Sequence, residues 1–283
     1  MQIALISDIH ANLQALDAVL ADIDARADID AIYHAGDLVG YSSHPNEVVT
    51  RLRERGIAGI AGNYDSTVAT DYVHCGCKSE TPRQEELAHI SYAYTRKAVS
   101  SETKRYLASL PFSLDIRPLG GHAAGPRLVL VHGTPTLNTL YWTADRSDEF
   151  CLKMAAMVGL KAGDVIAFGH THKPWHRQVN GIHFINTGSV GRPKDGDWRA
   201  GYVRLGLGDP DPQRDPSRDV SHDVSHDVSR DVSVEFVRVP YDVEAAVRGV
   251  LDAGLPDEFA EFLRTGGVPM PSTVVTETAP TTD

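Results

Sequence analysis

Cysteine is scarce in this chain: Cys75, Cys77 and Cys151 are the only three among 283 residues. Three are too few for a disulfide framework, and no Cys-x-x-Cys pair is present to hold zinc. An odd count points to a reducing compartment. A secretory leader is also missing. The opening Met-Gln-Ile-Ala-Leu-Ile-Ser reads as a strand, not as a basic segment followed by an apolar one. No run of about 18 apolar residues occurs, so no membrane-spanning helix is expected. Nor is there an excess of positive charge. The net charge is −11, from 27 Lys and Arg against 38 Asp and Glu, which excludes a protein that holds duplex DNA by its bulk field. What the chain does have is 42% apolar residues, enough for a sizeable core. The expectation is a soluble cytoplasmic protein with no membrane partner and no stable nucleic-acid partner.

The acid is unevenly spread. Residues 1–208 hold 22 acidic and 21 basic residues, whereas residues 209–283 hold 16 and 6. Part of the acidic quarter is a tandem tetrapeptide, Ser-Arg-Asp-Val, Ser-His-Asp-Val, Ser-His-Asp-Val, Ser-Arg-Asp-Val, over residues 217–232. Each repeat offers one small apolar group, so a packed unit is not expected. It reads as a solvated loop lengthened by repetition, with a metal or partner tether through His222 and His226 as the sharper alternative. The predicted organisation is a core over 1–208 and an acidic repeat loop over 209–233. A C-terminal strand and helices over 234–265 complete the core, and 266–283 form a disordered tail.

Short apolar runs alternate with helical periodicity in the first 62 residues. Ile3 to Ile6, Ala31 to Ala35 and Ile57 to Ala61 read as strands. Between them, Leu13, Leu16, Val19, Leu20 and Ile23 recur at helical spacing, and Pro45 opens a helix through Val48, Val49 and Leu52. This is β-α-β-α-β, an α/β sheet with right-handed crossovers. Residues 82–110 read as helices with a cap at Ser100 or Ser101. Strands follow at Leu128–Val131, Asp164–Phe168 and Phe184–Ile185, then a late antiparallel pair near Tyr202 and Val234–Val239. Helical patterns return at Val243–Leu251 and Asp257–Leu263.

Polar residues follow these strands at once: Asp8-Ile-His10, Gly36-Asp37, Gly62-Asn63, His132-Gly133 and Gly169-His-Thr-His172. Ligands of open α/β sheets bind at the C-terminal strand edge. Five strand ends thus deliver two carboxylates, one amide and four imidazoles to one edge. Carboxylate with imidazole suits Mn, Fe, Zn, Ni or Co. Seven donors are too many for one tetrahedral ion with an open position. They suit two divalent ions about 3.5–4 Å apart sharing one carboxylate.

As a set and in this order, the motifs resemble those of the calcineurin-like metallophosphoesterases over about residues 1–208. Gly36-Asp-Leu-Val-Gly-Tyr41 and Asn186-Thr-Gly-Ser-Val-Gly191 are similar to its small bacterial phosphodiesterase branch. The resemblance implies a four-layer α/β/β/α sandwich. It implies Asp8, His10 and His172 on one metal, with Asn63, His132 and His170 on the other and Asp37 bridging. Manganese comes first, with iron, zinc or nickel as alternatives. The implied activity is hydrolysis of small or nucleotide-like phosphodiesters by attack of a metal-bridging hydroxide on phosphorus. The competing functions are a phosphomonoesterase or protein phosphatase of the same superfamily, and a non-catalytic scaffold. Such scaffolds often lose ligands, and all seven are present here.

One position departs from the family pattern. The third motif usually reads Gly-Asn-His-Asp or Gly-Asn-His-Glu, and here Tyr64 stands in place of the histidine. A phenol with an ordinary pKa near 10 is a poorer proton donor at pH 7 than imidazolium, though it still donates a hydrogen bond to an oxyanion. Tyr64 is therefore a candidate that tilts the enzyme toward diesters with good leaving groups, against the plainer alternative of a pocket wall. Asn63 is expected to hold a phosphoryl oxygen besides its metal, and Asp65 to orient a ligating imidazole. Cys75-Gly-Cys77 reads as an ordinary mobile loop, with a redox pair as the alternative. Arg192, Lys194 and Arg199 are candidates to meet phosphate, with solvated surface charge as the ordinary alternative.

Overall fold

In the computed structural model, residues 1–79, 81–117, 126–208 and 232–268 are described. The tandem repeat, apart from its last residue Val232, and most of the expected tail lie outside these residues.

Two five-stranded mixed sheets lie face to face. The first contains β1 (Gln2–Ile6), β2 (Ala31–His34), β3 (Ala58–Gly59), β9 (Ala200–Leu207) and β10 (Val232–Val239), in the order β10-β9-β1-β2-β3. The second contains β4 (Ser113–Ile116), β5 (Leu128–Val131), β6 (Val165–Phe168), β7 (Trp175–Val179) and β8 (Ile182–Asn186), in the order β4-β5-β6-β8-β7. At the centre of each sheet the strands are parallel: β1 with β2 and β2 with β3, then β5 with β6 and β6 with β8. β9, β10, β4 and β7 add antiparallel, leaving short β3 as a parallel edge, and β9 and β10 pair from Ala200↔Val239 to Leu207↔Val232. The last strand thus begins at Val232, within the segment expected to be loop.

A parallel strand covered on both faces carries apolar side chains at successive positions. That is why β5 and β6 read as unbroken runs and are buried throughout. Ile3, Leu5, Leu128, Leu130, Val165, Ala167, Val203 and Leu205 fill the space between the sheets. Helices cover the two outer faces. On the first sheet, α1 (Leu13–Asp24) turns Ala15, Leu16, Val19, Leu20 and Ile23 inward, and α2 (Pro45–Glu54) turns Val48, Val49 and Leu52. These apolar faces, each side chain contributing about 1.5–3 kcal/mol when fully buried, outweigh the short length of the helices. They are joined by α3 (Asn63–Ala69), α4 (Pro82–Ala98), α5 (Ser101–Ser109), α7 (Val243–Asp252) and α8 (Asp257–Thr265). Ser100 caps α5 by accepting from Thr103 N at 3.1 Å. On the second sheet, α6 (Asp148–Met157) sets Cys151, Met154 and Ala155 against Phe168 and Phe184. The result is the four-layer α/β/β/α sandwich. Among the described residues, no helix is long and apolar enough to cross a membrane.

All the parallel strands run toward one edge of the sandwich. The loops leaving β1, β2, β3, β5, β6 and β8 carry every strand-end motif singled out above.

Candidate metal centre

Two buried clusters lie at that edge. Asp8, His10 and His172 form one, and Asp37, His132 and His170 form the other. Within each cluster the candidate ligand atoms lie within 4.8 Å of one another. Each cluster crosses the sandwich. The first takes Asp8 and His10 from the end of β1 and His172 from the end of β6. The second takes Asp37 from β2, His132 from β5 and His170 from β6.

The imidazoles face inward because backbone carbonyls hold them from behind. His10 Nδ1 lies 3.1 Å from Val39 O, His132 Nδ1 2.8 Å from Ala35 O, and His172 Nδ1 2.6 Å from Arg192 O. A carbonyl only accepts, so each Nδ1 carries a proton, and wherever the ring is neutral it presents the Nε2 lone pair to the centre. Burial, with His172 beside it, lowers the His10 pKa to about 3. Burial, with Lys194 and Arg192 adding to it, drives His172 well below 6.5. Burial, with the charge on His132 adding to it, lowers His170 to about 4. His132 is the exception: burial alone would lower it, but Asp37, by charge and hydrogen bond, raises it to about 10. Burial alone would likewise raise Asp37, and His132 holds it below the ordinary range. Within the polypeptide alone, a proton on His132 serves as the counter-charge of Asp37.

Asp37 reaches both clusters. Its Oδ1 accepts from Tyr64 N at 2.9 Å, which leaves Oδ2 pointing inward, 3.4 Å from His132 Nε2 and 3.8 Å from His10 Nε2. Asn63 opens α3 and is oriented the same way. Its amide nitrogen donates to Cys75 O at 3.0 Å, and its Oδ1 faces His132 Nε2 at 3.1 Å. Asp8 accepts from His170 N through Oδ2, leaving Oδ1 3.2 Å from His172 Nε2.

The donor set fits divalent cations. Asp8 Oδ1 and His170 Nε2 are buried without a hydrogen-bond partner. Nε2 of His10 and Nε2 of His172 meet at 3.1 Å, and both are lone pairs by the carbonyl argument. Each such buried, unsatisfied group costs about 1–3 kcal/mol, a cost that a shared cation offsets. Mixed carboxylate, amide and imidazole donors suit a first-row transition ion.

The loops are bent sharply to achieve this. Asp8, His10, Asp37, His170 and His172 all take left-handed backbone, with φ between 50° and 66°. None is glycine, so the surrounding packing holds a conformation that L-residues avoid. Glycine serves for close approach instead. A Cβ on Gly62 would strike the Asp37 carboxylate, and one on Gly169 would strike Asp8. The Asn186–Gly191 segment sutures the two sheets. Asn186 Nδ2 donates to Gly169 O at 2.8 Å, Ser189 Oγ donates to Asp8 O at 2.7 Å, and Gly191 N to Asp8 O at 3.1 Å.

Asp65 and the Cys75–Cys77 pair depart from their expected places, and Tyr64 takes the plainer of its two. Asp65 touches no imidazole: carbonyls already take the ring N–H groups. Its two oxygens accept from Leu38 N and Gly62 N, each at 2.9 Å, and so clamp together the loops that carry Asp37 and Asn63. Burial and the nearby charge of Asp37 raise its pKa to about 7. Tyr64 is fully buried. Its hydroxyl pairs with Ser91 Oγ at 3.1 Å, its ring packs on Tyr41 and Tyr92, and burial holds its pKa well above 10. This places it in the wall behind His10. Cys75 and Cys77 are joined by a disulfide, their Cα atoms 5.4 Å apart and within bridging range, in the loop that receives the Asn63 amide.

Other residues around the centre had no sequence signal or a weak one. Tyr41 stands edge-on to His10 at 5.0 Å between ring centroids, and Tyr141 lies 4.3 Å from His170. Buried Trp142, stacked on Phe168 at 4.3 Å, anchors the segment bearing Tyr141. The Arg192 guanidinium sits between the rings of Tyr41 and Phe262, 3.9 and 3.7 Å from their centroids. Arg199, by contrast, is exposed and pairs with Asp197.

A calcineurin-like phosphoesterase superfamily domain model matches residues 1–209. An uncharacterized protein of Methanocaldococcus jannaschii is 29% identical over 281 residues, spanning 93% of this chain and 98% of that one. Among solved structures, a metallophosphoesterase from Sphaerobacter thermophilus is 26% identical, with a TM-score of 0.65 over 94% of this chain and 100% of the other. A protein from Pyrococcus horikoshii OT3, 20% identical, shares the fold with a TM-score of 0.73 over 95% of this chain and 99% of its own.

Proposed function

The chain belongs to the calcineurin-like phosphoesterase superfamily, and on that premise we propose that it hydrolyses small or nucleotide-like phosphodiesters at two divalent ions, manganese first. Asp8, His10 and His172 would hold one ion and Asn63, His132 and His170 the other, with Asp37, whose carboxylate reaches both clusters, shared between them. Two divalent ions there supply Lewis-acid charge for the phosphoryl oxygens and a water of lowered pKa. The residues of the chain do the rest. Backbone carbonyls fix the tautomers of His10, His132 and His172, and Asp65 keeps the Asp37 and Asn63 loops in register. Asn63 turns its carbonyl oxygen to the centre because its amide is committed to Cys75 O. A water adds to phosphorus, the bond to the leaving oxygen breaks, and that oxygen takes its proton from solvent. The products are a monoester and an alcohol.

The observation that carries the diester preference is the state of Tyr64. Its hydroxyl is buried, bonded to Ser91 and shifted toward a still weaker acid, so the third motif supplies no proton donor to a leaving group. Substrates whose leaving oxygen departs without strong acid catalysis are favoured. The test is a manganese-loaded panel of bis(p-nitrophenyl) phosphate, p-nitrophenyl phosphate, a cyclic nucleotide and a dinucleotide, each with a chelator control. Diester turnover should exceed monoester turnover at least tenfold and vanish with the chelator. A monoester preference, or turnover indifferent to chelation, overturns the proposal.

A further inference from the structure

Arg192 and Lys194 are set into the wall of the centre. Both are half-buried, and among the described residues neither side chain makes an ion pair or a hydrogen bond. The neighbouring acids are already engaged: Asp195 with Arg238, and Asp197 with Arg199 and Arg238. Arg192 packs on a phenol and a phenyl ring, and Lys194, besides its burial, feels the repulsion of Arg192 and Lys173 against the charges of Asp8 and Asp37. Removing a cation from water without a carboxylate is costly, and rings return only about 0.5–2 kcal/mol of it. Chains that place two such cations side by side keep them for an anion.

Their position says which anion. The Arg192 carbonyl holds the His172 ring, and the Lys194 amide donates to His172 O at 3.3 Å, so both residues are anchored to the first cluster. The Arg192 guanidinium packs on the ring of Tyr41, 3.9 Å from its centroid, and that ring stands 5.0 Å from the ring of His10. The oxygens of the phosphoryl group under attack face the ions themselves. A group held one aromatic ring away meets a different part of the ligand. The charge count agrees: two divalent ions against Asp8 and Asp37 would leave +2, Arg192 raises this to +3, and Lys194, whose burial beside Arg192 lowers its pKa to about 7, gains its full charge when an anion joins it. A simple diester carries only −1.

We propose that Arg192 and Lys194, with Tyr41 beside them, form a subsite for a second phosphate group of the substrate, so that the preferred substrate is a phosphodiester that also bears a phosphomonoester end. This rests on the diesterase reading above and adds a residue-level specificity to it. Guanidinium fits a terminal phosphate by paired N–H donors, and the flanking rings of Tyr41 and Phe262 hold it flat for that contact.

The matched probes are a diadenosine dinucleotide with and without a 5′-phosphate, assayed with the manganese-loaded enzyme. The phosphorylated dinucleotide should be favoured at least tenfold in kcat/KM. Arg192→Ala and, separately, Lys194→Met should each cut that preference at least fivefold, with the loss in KM for the phosphorylated probe and partial recovery in Arg192→Lys. An equal loss on both dinucleotides, or on p-nitrophenyl phosphate as well, would assign the cations to the reacting phosphoryl group and overturn the subsite. Inorganic pyrophosphate binding, followed by calorimetry on loaded and metal-free protein, gives a readout apart from turnover. It should exceed inorganic phosphate binding in the wild type and fall to parity in the variants. If the wild type cleaves neither dinucleotide, the diesterase reading fails on its own, while the pyrophosphate comparison still decides the subsite.

Discussion

His34 and the cluster histidines are equally buried, lie within a few residues of the same strand ends, and are put to opposite uses. His34 closes β2, and neither of its ring nitrogens has a partner. Burial alone lowers its pKa to about 3. One residue further on, the carbonyl of Ala35 holds the ring of His132, whose other nitrogen faces Asp37. Burial therefore does not make an imidazole a ligand. What marks His10, His132 and His172 is a carbonyl behind Nδ1 and a carboxylate in front of Nε2. His34 has neither and is packing: a Cβ on Gly59 would strike its ring.

The sharpest way to break this contrast is to remove the carboxylate that both clusters share. Asp37→Asn should bind fewer than one equivalent of metal by elemental analysis and lose more than about 100-fold in activity. Two retained equivalents would show that Asp37 is not the bridge. A smaller effect is expected from Asp65→Asn. The amide NH2 takes the place of one of the two accepting oxygens, so either Leu38 N or Gly62 N faces a donor, and the Asp37 and Asn63 loops loosen. Metal affinity, measured by chelator competition, should fall about 10–100-fold. Unchanged affinity would reduce Asp65 to an ordinary helix cap.

The smallest effect belongs to His34. Its folded-state pKa lies below the unfolded value near 6.5. As pH falls from about 6.5 toward 3, the unfolded chain takes up a proton that the folded one refuses, and stability drops by about 1.4 kcal/mol per pH unit. Above pH 6.5 this group contributes no pH dependence. His34→Leu should keep two metal equivalents and melt less steeply with acid between pH 6.5 and 4.5. Equal slopes in the two proteins would mean that His34 titrates in the folded state.

Much of the site was legible because parallel strands buried on both faces stand out as apolar runs, and whatever follows them sits at one edge. The motif residues from Asp8 to His172 were placed by that logic. The four-layer fold came from the resemblance those motifs carry. What was not legible has no local sequence signal. Five of the seven candidate ligands take left-handed backbone although none is glycine. The β4 and β7 edge strands are short and amphipathic, and α6 buries only a thin stripe. Tyr41 and Tyr141 come to the centre, beside the candidate Arg192, only through tertiary packing. The segment Asn186–Gly191 stands out in the sequence only by its similarity to the phosphodiesterase branch, and its structural part lies in hydrogen bonds to Gly169 and Asp8 that no local pattern shows.

The clusters draw on both sheets, and this sets an order in time. A chain growing from its N-terminus presents Asp8, His10, Asp37 and Asn63 first, all on the first sheet. His132, His170 and His172 come more than sixty residues after Asn63, on the second. No early intermediate can complete either cluster. Even β9, which flanks β1, emerges after His172, the last of the cluster residues. An ion held by this centre therefore certifies that the two halves of the sandwich have met in register, and it can do so only once most of the chain has been made.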